Sequence, residues 1–249
     1  MPGRIVTGLA GVAALTVVWW GLSILIPGGF LPPPDLVVVR FVVLLGNGLA
    51  LHAAASLVRI GAAMAISLAT AVPAGMALGR SRRFDRAFSP LVYLLYPVPK
   101  IALLPIVMLL FGIGNGARVA IVALVLFFQV LVSTRDASRS LPEAWLLSLR
   151  SLGASRTQLI RFVLVPALMP SLLSSLRIGT GTALAVLFFS ETFGTRTGLG
   201  YFVMESWMRL SYVDMFAGVL CLGLLGLLLF LAIDGLHGRL CRWEVTSRG

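Results

Sequence analysis

Long apolar runs constrain the fold of this chain more than any other feature of its sequence. The hydrocarbon core of a bilayer is about 30 Å thick, so a helix rising 1.5 Å per residue needs roughly 20 apolar residues to cross it. Six such runs occur in the 249 residues: Leu9 to Pro27, about Ser56 to Leu78, Phe88 to Phe111, Ala117 to Val132, near Pro166 to Phe189, and Val213 to Ile233. They predict an all-α integral membrane protein with six transmembrane helices.

The composition excludes several classes of protein. Hydrophobic residues make up 59% of the chain and charged residues 12%, whereas a soluble domain has about 45–50% apolar and about 25% charged residues. So little polar surface excludes a soluble enzyme, a disordered tail and a nucleic-acid-binding protein. The net charge of +11 does not alter this, because the basic residues separate the apolar runs instead of clustering on one face. Cys221 and Cys241, the only cysteines, indicate no disulfide framework.

The first apolar run has two interpretations, a signal peptide or a retained helix. A short basic segment with Arg4 precedes it, as in a signal peptide. The run is long, however, contains Trp19 and Trp20, and lacks a small-x-small cleavage site. We therefore expect a retained first span.

Basic residues outside the runs predict the orientation, since cytoplasmic loops are enriched in lysine and arginine. With a cytoplasmic N-terminus, 13 of the 20 basic residues lie inside and 5 lie outside or near the outer ends, while Lys100 and Arg177 fall within runs. The inside residues are Arg4, Arg80, Arg82, Arg83, Arg86, Arg135, Arg139, Arg150, Arg156, Arg161, Arg239, Arg242 and Arg248, and the outside ones are Arg40, Arg59, Arg118, Arg196 and Arg209. Both termini are therefore predicted to be cytoplasmic, as six spans require.

Prolines and charges interrupt the apolar runs. Pro97 and Pro99 in the third run remove backbone donors and bend the helix, which is tolerated at membrane depth only where protein or a watery cavity covers the backbone. This span should therefore face the protein interior, as a wall of a pathway. Lys100 has two possible functional roles, to attract an anionic substrate or to contact a gate. Its two possible structural roles are to bond to carbonyls freed by the prolines or to pair with an acid such as Glu191. Arg177 would lie at a cytoplasmic gate or pair within the bundle.

Small residues recur every four positions in the second run, at Ser67, Ala71, Gly75 and Gly79. Such a stripe lets another helix approach closely. It is compatible with packing inside the subunit or with a dimer contact.

The long loop between the fourth and fifth runs, Ser133 to Val165, is patterned as two short helices. Ser140-Leu141-Pro142-Glu143 and Ser155-Arg156-Thr157-Gln158 read as capping boxes, and Gly153 can take the left-handed conformation that ends a helix. Such a rigid hairpin would dock on a partner or lie on lipid headgroups.

Catalytic and metal-binding patterns are missing from the sequence. His52 and His237 fall on opposite sides of the predicted bilayer, and Asp234 with His237 is better explained as a solvated helix end than as a two-ligand metal site. No loop offers a nucleophile with a base, and no Gly-x-x-x-x-Gly-Lys-Ser/Thr phosphate loop is present. We expect neither catalysis nor ATP binding by this chain.

The loop and several other segments resemble the permease subunits of type I ABC importers, in particular the nitrate/sulfonate/taurine branch. That family's loop carries Glu-Ala-Ala, three residues, a glycine, nine residues and Ile-x-Leu-Pro. The matching segments here are Arg150 to Arg156 around Gly153, Val163 to Pro166, Pro97 to Pro105, Phe111 to Gly114, Leu176 to Gly179 and Thr197 to Tyr201. Their order and spacing, from about His52 to Trp243, are together specific.

The chain departs from the family at the motif glutamate. Counting back six residues from Gly153 places Glu-Ala-Ala on Leu147-Ser148-Leu149. Glu143 lies one turn earlier on the same helix face, where it would reach the same partner or cap its own helix as the third residue of the first box. The departure also leaves open a second, different permease subunit.

The resemblance implies a type I importer permease fold with an N-terminal span and periplasmic segment at 1–50, a core domain at 51–243 and a cytoplasmic tail at 244–249. It implies two permease subunits, either identical or different, two ATPase subunits that hold ATP-Mg, and an extracytoplasmic binding protein in a cell inner membrane. The residues that would couple to the ATPase are Glu143, Ala144, Leu147, Arg150, Leu152, Gly153, Ala154 and Ser155, and those of the pathway are Pro97, Pro99, Lys100, Arg177 and Glu191.

The implied solute is a small oxyanion such as a sulfonate, nitrate or taurine, and the branch also includes importers of pyrimidine vitamin precursors. The rival hypotheses are a membrane scaffold that moves nothing and a secondary transporter. Broken, charged spans favour a transporter over a scaffold, since a mere anchor has no need of them.

Overall fold

A computed structural model describes residues 2–26 and 28–243, with side chains from residue 10 onward, and this part of the chain is helical without any strand. The helices are α1 (Pro2–Leu25), α2 (Pro34–Leu44), α3 (Ala50–Arg80), α4 (Arg82–Leu95), α5 (Leu104–Phe111), α6 (Asn115–Ser140), α7 (Glu143–Ser151), α8 (Arg156–Leu159), α9 (Val165–Glu191), α10 (Leu199–Met208) and α11 (Tyr212–Leu240). Three short irregular helical turns join some of them: Leu45–Leu49, Lys100–Leu103 and Ile160–Leu164. The predicted all-α membrane class is confirmed.

Four helical segments are long and apolar enough to cross a membrane: Pro34–Arg80, Asn115–Ser140, Arg156–Glu191 and Tyr212–Leu240. A fifth is the pair Arg82–Leu95 and Lys100–Phe111, if these halves, bent by 87°, form one broken span. The predicted first span corresponds to a shorter apolar helix, Ala10–Leu25, and its predicted end, Pro27, lies outside the described residues. The count of six therefore stays a prediction.

The described residues fall into two compact units. The first contains the chain up to Ser56 together with Glu191–Leu225, and the second contains Leu57–Ser190 together with the chain from Gly226 onward. The predicted division at residue 50 was drawn from the resemblance and stays a prediction, while the predicted tail at 244–249 and the side chain of Arg4 lie outside what the structure describes.

Helices α2 and α10, which the sequence analysis did not predict, belong to the first unit. Helix α2 begins at a proline and has Asp35 in its first turn, both typical of a helix start. With 11 residues it is too short to span a membrane. A kink at Asn47 and Gly48, with φ of +103° at the glycine, separates α2 from α3. Arg40 of α2 donates to Asp214 at the start of α11.

In the second unit, the small-residue stripe of α3 packs against α6. The Ser67 hydroxyl donates to the Ala123 carbonyl at 2.8 Å. A Cβ atom on Gly75 would lie 2.6 Å from the Cβ of Thr134, and one on Gly79 would lie 2.5 Å from the Arg135 carbonyl oxygen. The stripe thus serves packing within the subunit, one of the two uses left open by the sequence.

The core of the second unit extends from this contact to α9 and α11. Its buried members are Ala71, Leu78, Val92, Val130, Leu131, Leu168, Leu172, Leu173, Leu176, Ile233 and Cys241. Helix α9 supplies four of them, so it is the central apolar surface of this unit.

We predict that Gly75→Leu destabilises the protein by about 1–3 kcal/mol, because the new side chain would overpack the contact of α3 with α6. The measurement is thermal unfolding of the purified protein in detergent. Gly61→Leu is the matched control, since a Cβ at Gly61 meets nothing within 4 Å. Equal melting temperatures for the two variants would show that the close approach carries no stability.

Candidate functional site

The long polar loop folds as the predicted helical hairpin. Helix α7 ends at Ser151, and α8 begins after Ser155. The Ser155 hydroxyl accepts from the Gln158 N–H at 3.3 Å, and the Ser155 N–H donates to Gln158 Oε1 at 2.7 Å. The second capping box is therefore present as predicted.

Gly153 makes the turn of the hairpin. Its φ of +84° lies in the left-handed region, where a side chain is strained. The Gly153 N–H donates to the Arg150 carbonyl at 2.9 Å, and the Ala154 N–H donates to the Leu149 carbonyl at 3.0 Å. These two bonds form a Schellman motif, so the predicted role of Gly153 in ending the helix is confirmed.

The first predicted capping box is wrong. Helix α6 continues to Ser140, whose hydroxyl donates back to the Ala137 carbonyl at 2.9 Å. Pro142 is the N-cap residue of α7 and makes no side-chain cap bond, so Glu143 is the first residue of the helix rather than the third residue of a box. The cause is Pro142, which forces the preceding Leu141 into extended backbone with ψ of 127°.

The inner face of the hairpin is apolar and anchored. Leu146, Leu159 and Leu164 are buried together, and Met76 of α3 packs against them. At the base, Arg80 of α3 donates to the carbonyls of Ser138 and Leu141 at 3.3 and 3.4 Å. Packing and hydrogen bonds therefore fix the hairpin to the end of α3.

The outer face of the hairpin is exposed and partly apolar. Trp145 is 55% exposed, Leu147 57% and Leu152 82%. The other predicted coupling residues lie on the same projection, with Glu143, Ala144, Arg150, Gly153 and Ser155 exposed and Ala154 half-buried. Leu147, at the position of the family glutamate, faces outward one turn from Glu143. An exposed face with large apolar side chains is typical of a surface that binds a partner.

The predicted break in the third span is present, with α4 ending at Leu95 and an 87° bend between the two halves. Pro97 lies in the turn, and Pro99 precedes the short 3₁₀ turn that begins at Lys100. The Lys100 ammonium donates to the Tyr96 carbonyl and lies 4.9 Å from the centre of the Phe128 ring. This contact is with a backbone carbonyl at the break, beside the two prolines.

Side chains of the broken segment are mostly exposed, and only Val92 and Leu104 are buried in it. The prediction that this span faces the protein interior therefore does not hold within a single chain. A pathway wall would have to be completed from outside the described chain.

Arg177 pairs within the bundle, one of the two predicted alternatives. Its Nη1 lies 3.2 Å from Asp234 Oδ1, and its guanidinium lies over the Phe230 ring. Arg177, Asp234 and His237 line a pocket of about 400 Å³ between α9 and α11. Among the described residues, no three histidine, cysteine or acidic side chains come together as a metal site.

Glu191 lies in a buried polar cluster of the first unit. It is 1% exposed, and its carboxylate accepts from the Ser56 hydroxyl at 2.8 and 2.9 Å and from the Gly200 N–H at 3.0 Å. The Ser56 hydroxyl also accepts from the Leu199 N–H at 2.9 Å, and His52 Nδ1 accepts from the Gly198 N–H at 3.2 Å. These acceptors bind the N–H groups at the N-terminus of α10. Sequence reasoning missed this anchoring role of Glu191.

A second missed cluster ties α4 to α6. Asp85 Oδ1 accepts from Arg135 Nε at 2.6 Å, and Asp85 Oδ2 accepts from Arg139 at 3.3 Å. Arg135 also lies over the Tyr93 ring. Asp85 and Arg135 are fifty positions apart in sequence. The one hint of such a pairing in the sequence is that Asp85 is the single acid among four arginines at 80–86.

Comparison with known proteins assigns these features to a family. The profile of the family described as "Binding-protein-dependent transport system inner membrane component" matches residues 71–243, which include the hairpin and the broken span. The taurine transport system permease protein of Escherichia coli is 32% identical, over 97% of this chain and 90% of its own. The formylaminopyrimidine transport permease protein of Halalkalibacterium halodurans is 31% identical, over 92% and 93%.

A third relative is the putative aliphatic sulfonates transport permease protein of Bacillus subtilis, 26% identical over 97% of this chain and 89% of its own. Among solved structures, a chain of an inward-facing methionine ABC transporter superposes with a TM-score of 0.64 at 18% identity, over 77% of this chain and 95% of that one. This likeness shows a shared fold, the type I importer permease fold.

We predict that Glu191→Gln destabilises the protein by about 1–3 kcal/mol, because an amide presents a donor to the Gly200 N–H or the Ser56 hydroxyl and leaves buried groups unsatisfied. The measurements are thermal unfolding and hydrogen exchange of the amides at the start of α10. Glu205→Gln is the control, since its carboxylate is partly exposed and pairs with Arg209 and Tyr201, both one turn away, and such partly exposed pairs contribute little. Faster exchange at Leu199 and Gly200 is expected in the first variant alone, and unchanged exchange would contradict the role of Glu191.

Proposed function

Because the chain belongs to the family of binding-protein-dependent transport system inner membrane components, we propose that it forms the pathway of an importer for a small oxyanion, such as a sulfonate, nitrate or taurine. Members of this family are ABC importer permeases, so the chain is a multi-pass membrane permease subunit and not itself an enzyme. A scaffold that moves nothing is therefore excluded. The observation that carries the proposal is the family match across the hairpin and the broken span together.

The remaining components of the importer lie outside this chain. ATP and magnesium would be held by two partner ATPase subunits, and an extracytoplasmic binding protein would deliver the solute. A second permease subunit would complete the pathway, which fits the exposure of the broken segment. That subunit is either a copy of this chain or a different permease subunit.

The hairpin is proposed as the element that couples ATP use to transport. Its outer face offers Trp145, Leu147 and Leu152 to the ATPase, while its inner face is fixed to α3 through Met76. A movement of the ATPase would therefore be passed to α3 without being absorbed in the loop. Coupling also requires that nucleotide and solute stabilise different conformations of the permease.

The orientation follows from the same assignment. If the hairpin meets a cytoplasmic ATPase, the end of α6 and the start of α9, which flank the hairpin, are cytoplasmic. This agrees with the excess of arginine in that loop. The termini are proposed to lie on that side too, and the chain is proposed to reside in the cell inner membrane.

Two observations support an oxyanion as solute. The taurine and aliphatic sulfonates permeases are relatives over nearly the whole chain. Lys100 places a positive charge at the bend of the broken span, and the described chain uses only one of its three donors, toward Tyr96. An anionic group passing the bend would find both charge and donors.

A pyrimidine precursor is the second candidate. It is favoured by the relative from Halalkalibacterium halodurans, which is named as a formylaminopyrimidine transport permease. A neutral solute of this kind would not depend on the charge of Lys100.

We predict that Gly153→Val abolishes most ATP-driven uptake while insertion into the membrane is preserved. Space is open around Gly153, so the defect comes from the left-handed backbone, which costs an L-residue roughly 1–2 kcal/mol and a β-branched one more. Uptake and the amount of membrane-inserted subunit are measured in the same cells. Gly235→Val, which also meets no neighbour but has an ordinary helical φ, is the matched control. Full uptake by Gly153→Val would refute the coupling role of the hairpin.

We predict that Lys100→Gln lowers kcat/KM for the oxyanion by about 10–100-fold, the loss expected for one charge-assisted hydrogen bond, whereas Lys100→Arg retains most of it. The measurement is uptake by the reconstituted complex over a panel of taurine, alkyl sulfonates, nitrate and formylaminopyrimidine. If the complex transports formylaminopyrimidine and none of the oxyanions, the solute is the second candidate. Undiminished sulfonate uptake by Lys100→Gln would remove Lys100 from the pathway.

A further inference from the structure

The ion pairs between α4 and α6 lie next to the hairpin in the chain. Asp85 of α4 pairs with Arg135 at 2.6 Å and with Arg139 at 3.3 Å, and both arginines are near the end of α6. Only Leu141 and Pro142 separate that end from the hairpin helix α7. The Arg135 side chain is 5% exposed and that of Asp85 19%, so the pair is shielded from the water that weakens ion pairs on a surface.

Helix α4 has little apolar packing of its own to fix its position. Of its 14 residues, all of which the structure describes, only Val92 is buried. An apolar groove of about 410 Å³ opens between α4 and the facing side chains of α3 and α6, such as Ala77 and Phe127. The attachment of α4 to α6 therefore depends on the ion pairs more than on apolar packing.

A single residue, Ser81, joins α4 to α3. It has extended backbone, with φ of −124° and ψ of 110°, and its hydroxyl accepts from the Phe84 N–H as the N-cap of α4. Each residue adds two soft dihedral angles to the chain, so a connection of this kind lets α4 change its direction relative to α3. A second point of attachment is needed to fix that direction.

Arg135 contacts α4 on both sides of a proline. Pro90 lies inside α4 and has no N–H to donate to the Arg86 carbonyl, which weakens the helix there. Asp85 precedes Pro90 and accepts from Arg135 Nε. Tyr93 follows Pro90, and its ring centre lies 5.5 Å from the Arg135 guanidinium. One side chain of α6 thus holds α4 before and after its weakest point.

We propose that Asp85 is a positioning residue that couples the hairpin to the broken span, because it holds α4 to the end of α6 so that the two move together. From Asp85 to Leu95 the helix rises about 15 Å at 1.5 Å per residue, and the bend with Lys100 follows. A displacement of the hairpin is carried by the end of α6 to Asp85 and by α4 to the bend. This inference rests on the proposed function and extends it from the hairpin to the pathway.

The first test measures the solute transported per ATP hydrolysed by the complex reconstituted in liposomes. Asp85→Asn is expected to lower this ratio by about tenfold, the factor that corresponds to the loss of one hydrogen bond to a charged group. ATP hydrolysis should continue, because the hairpin still meets the ATPase. Asp85→Glu keeps the carboxylate and should restore most of the ratio. A purely structural role would lower the amount of folded complex, measured by thermal unfolding, and leave the ratio unchanged.

Asp136→Asn is the matched control for the change in charge. Asp136 follows Arg135 in α6, is 63% exposed and lies 3.9 Å from Arg135, so its loss does not release α4. An unchanged ratio in Asp85→Asn, or an equal fall in both variants, would overturn the role of Asp85 alone. A wild-type complex that hydrolyses ATP but transports no solute of the panel would refute the proposed function, and this inference with it.

A second variant keeps the ion pairs and decides the question even if Asp85→Asn does not assemble. Arg86→Cys/Asp136→Cys places thiols at exposed positions of α4 and α6, where a short bis-maleimide can join them, whereas Cys221 and Cys241 are buried. The joined complex is expected to keep the ratio that it had before joining, because two helices that move together lose nothing when they are linked. Loss of transport on joining would show that α4 and α6 must move relative to each other, which would refute the proposal.

Discussion

Backbone N–H and C=O groups in a bilayer have no water to bind, so each must be satisfied within the protein. This constraint explains the side chains found at the irregular points of the chain. The Tyr96 carbonyl at the broken span receives the Lys100 ammonium. The N–H groups of Gly198 and Gly200, which precede and begin α10, are bound by His52 and Glu191. At these points a polar side chain satisfies the backbone group that the break leaves without a helical partner.

The same shortage of water makes unpaired charge costly, and the few acids of the chain are used to join helices. Asp85 links α4 to α6, Asp234 links α11 to α9, and Asp214 links α11 to α2. With twenty basic residues and nine acidic ones, this pairing leaves arginines without acids at the basic end of α4.

Sequence reasoning predicted features that depend on local chemistry and missed those that depend on distant contacts. The capping box at Ser155 and the turn at Gly153 follow from residues within five positions of each other. The false box at Ser140 failed for a local reason that could have been weighed, since Pro142 acts on Leu141 before it. The partners of Glu191 and Asp85 lie 135 and 50 residues away, and no single-sequence pattern encodes such distances.

The missing motif glutamate can be understood from the two faces of the hairpin. Leu147 and Trp145 are both exposed, so the outer face is more apolar than it would be with a glutamate at position 147. An apolar surface binds through the area that it buries rather than through one charged hydrogen bond. Binding of a partner to the outer face would not move the permease if the inner face were not packed against it. Leu146 and Leu159 hold that face to α3 at Met76, and on the adjacent turns Gly75 and Gly79 bring α3 into direct contact with α6. If the hairpin couples to a partner as proposed, a force applied to it would reach α3 through Met76 and α6 through the contacts at Gly75 and Gly79.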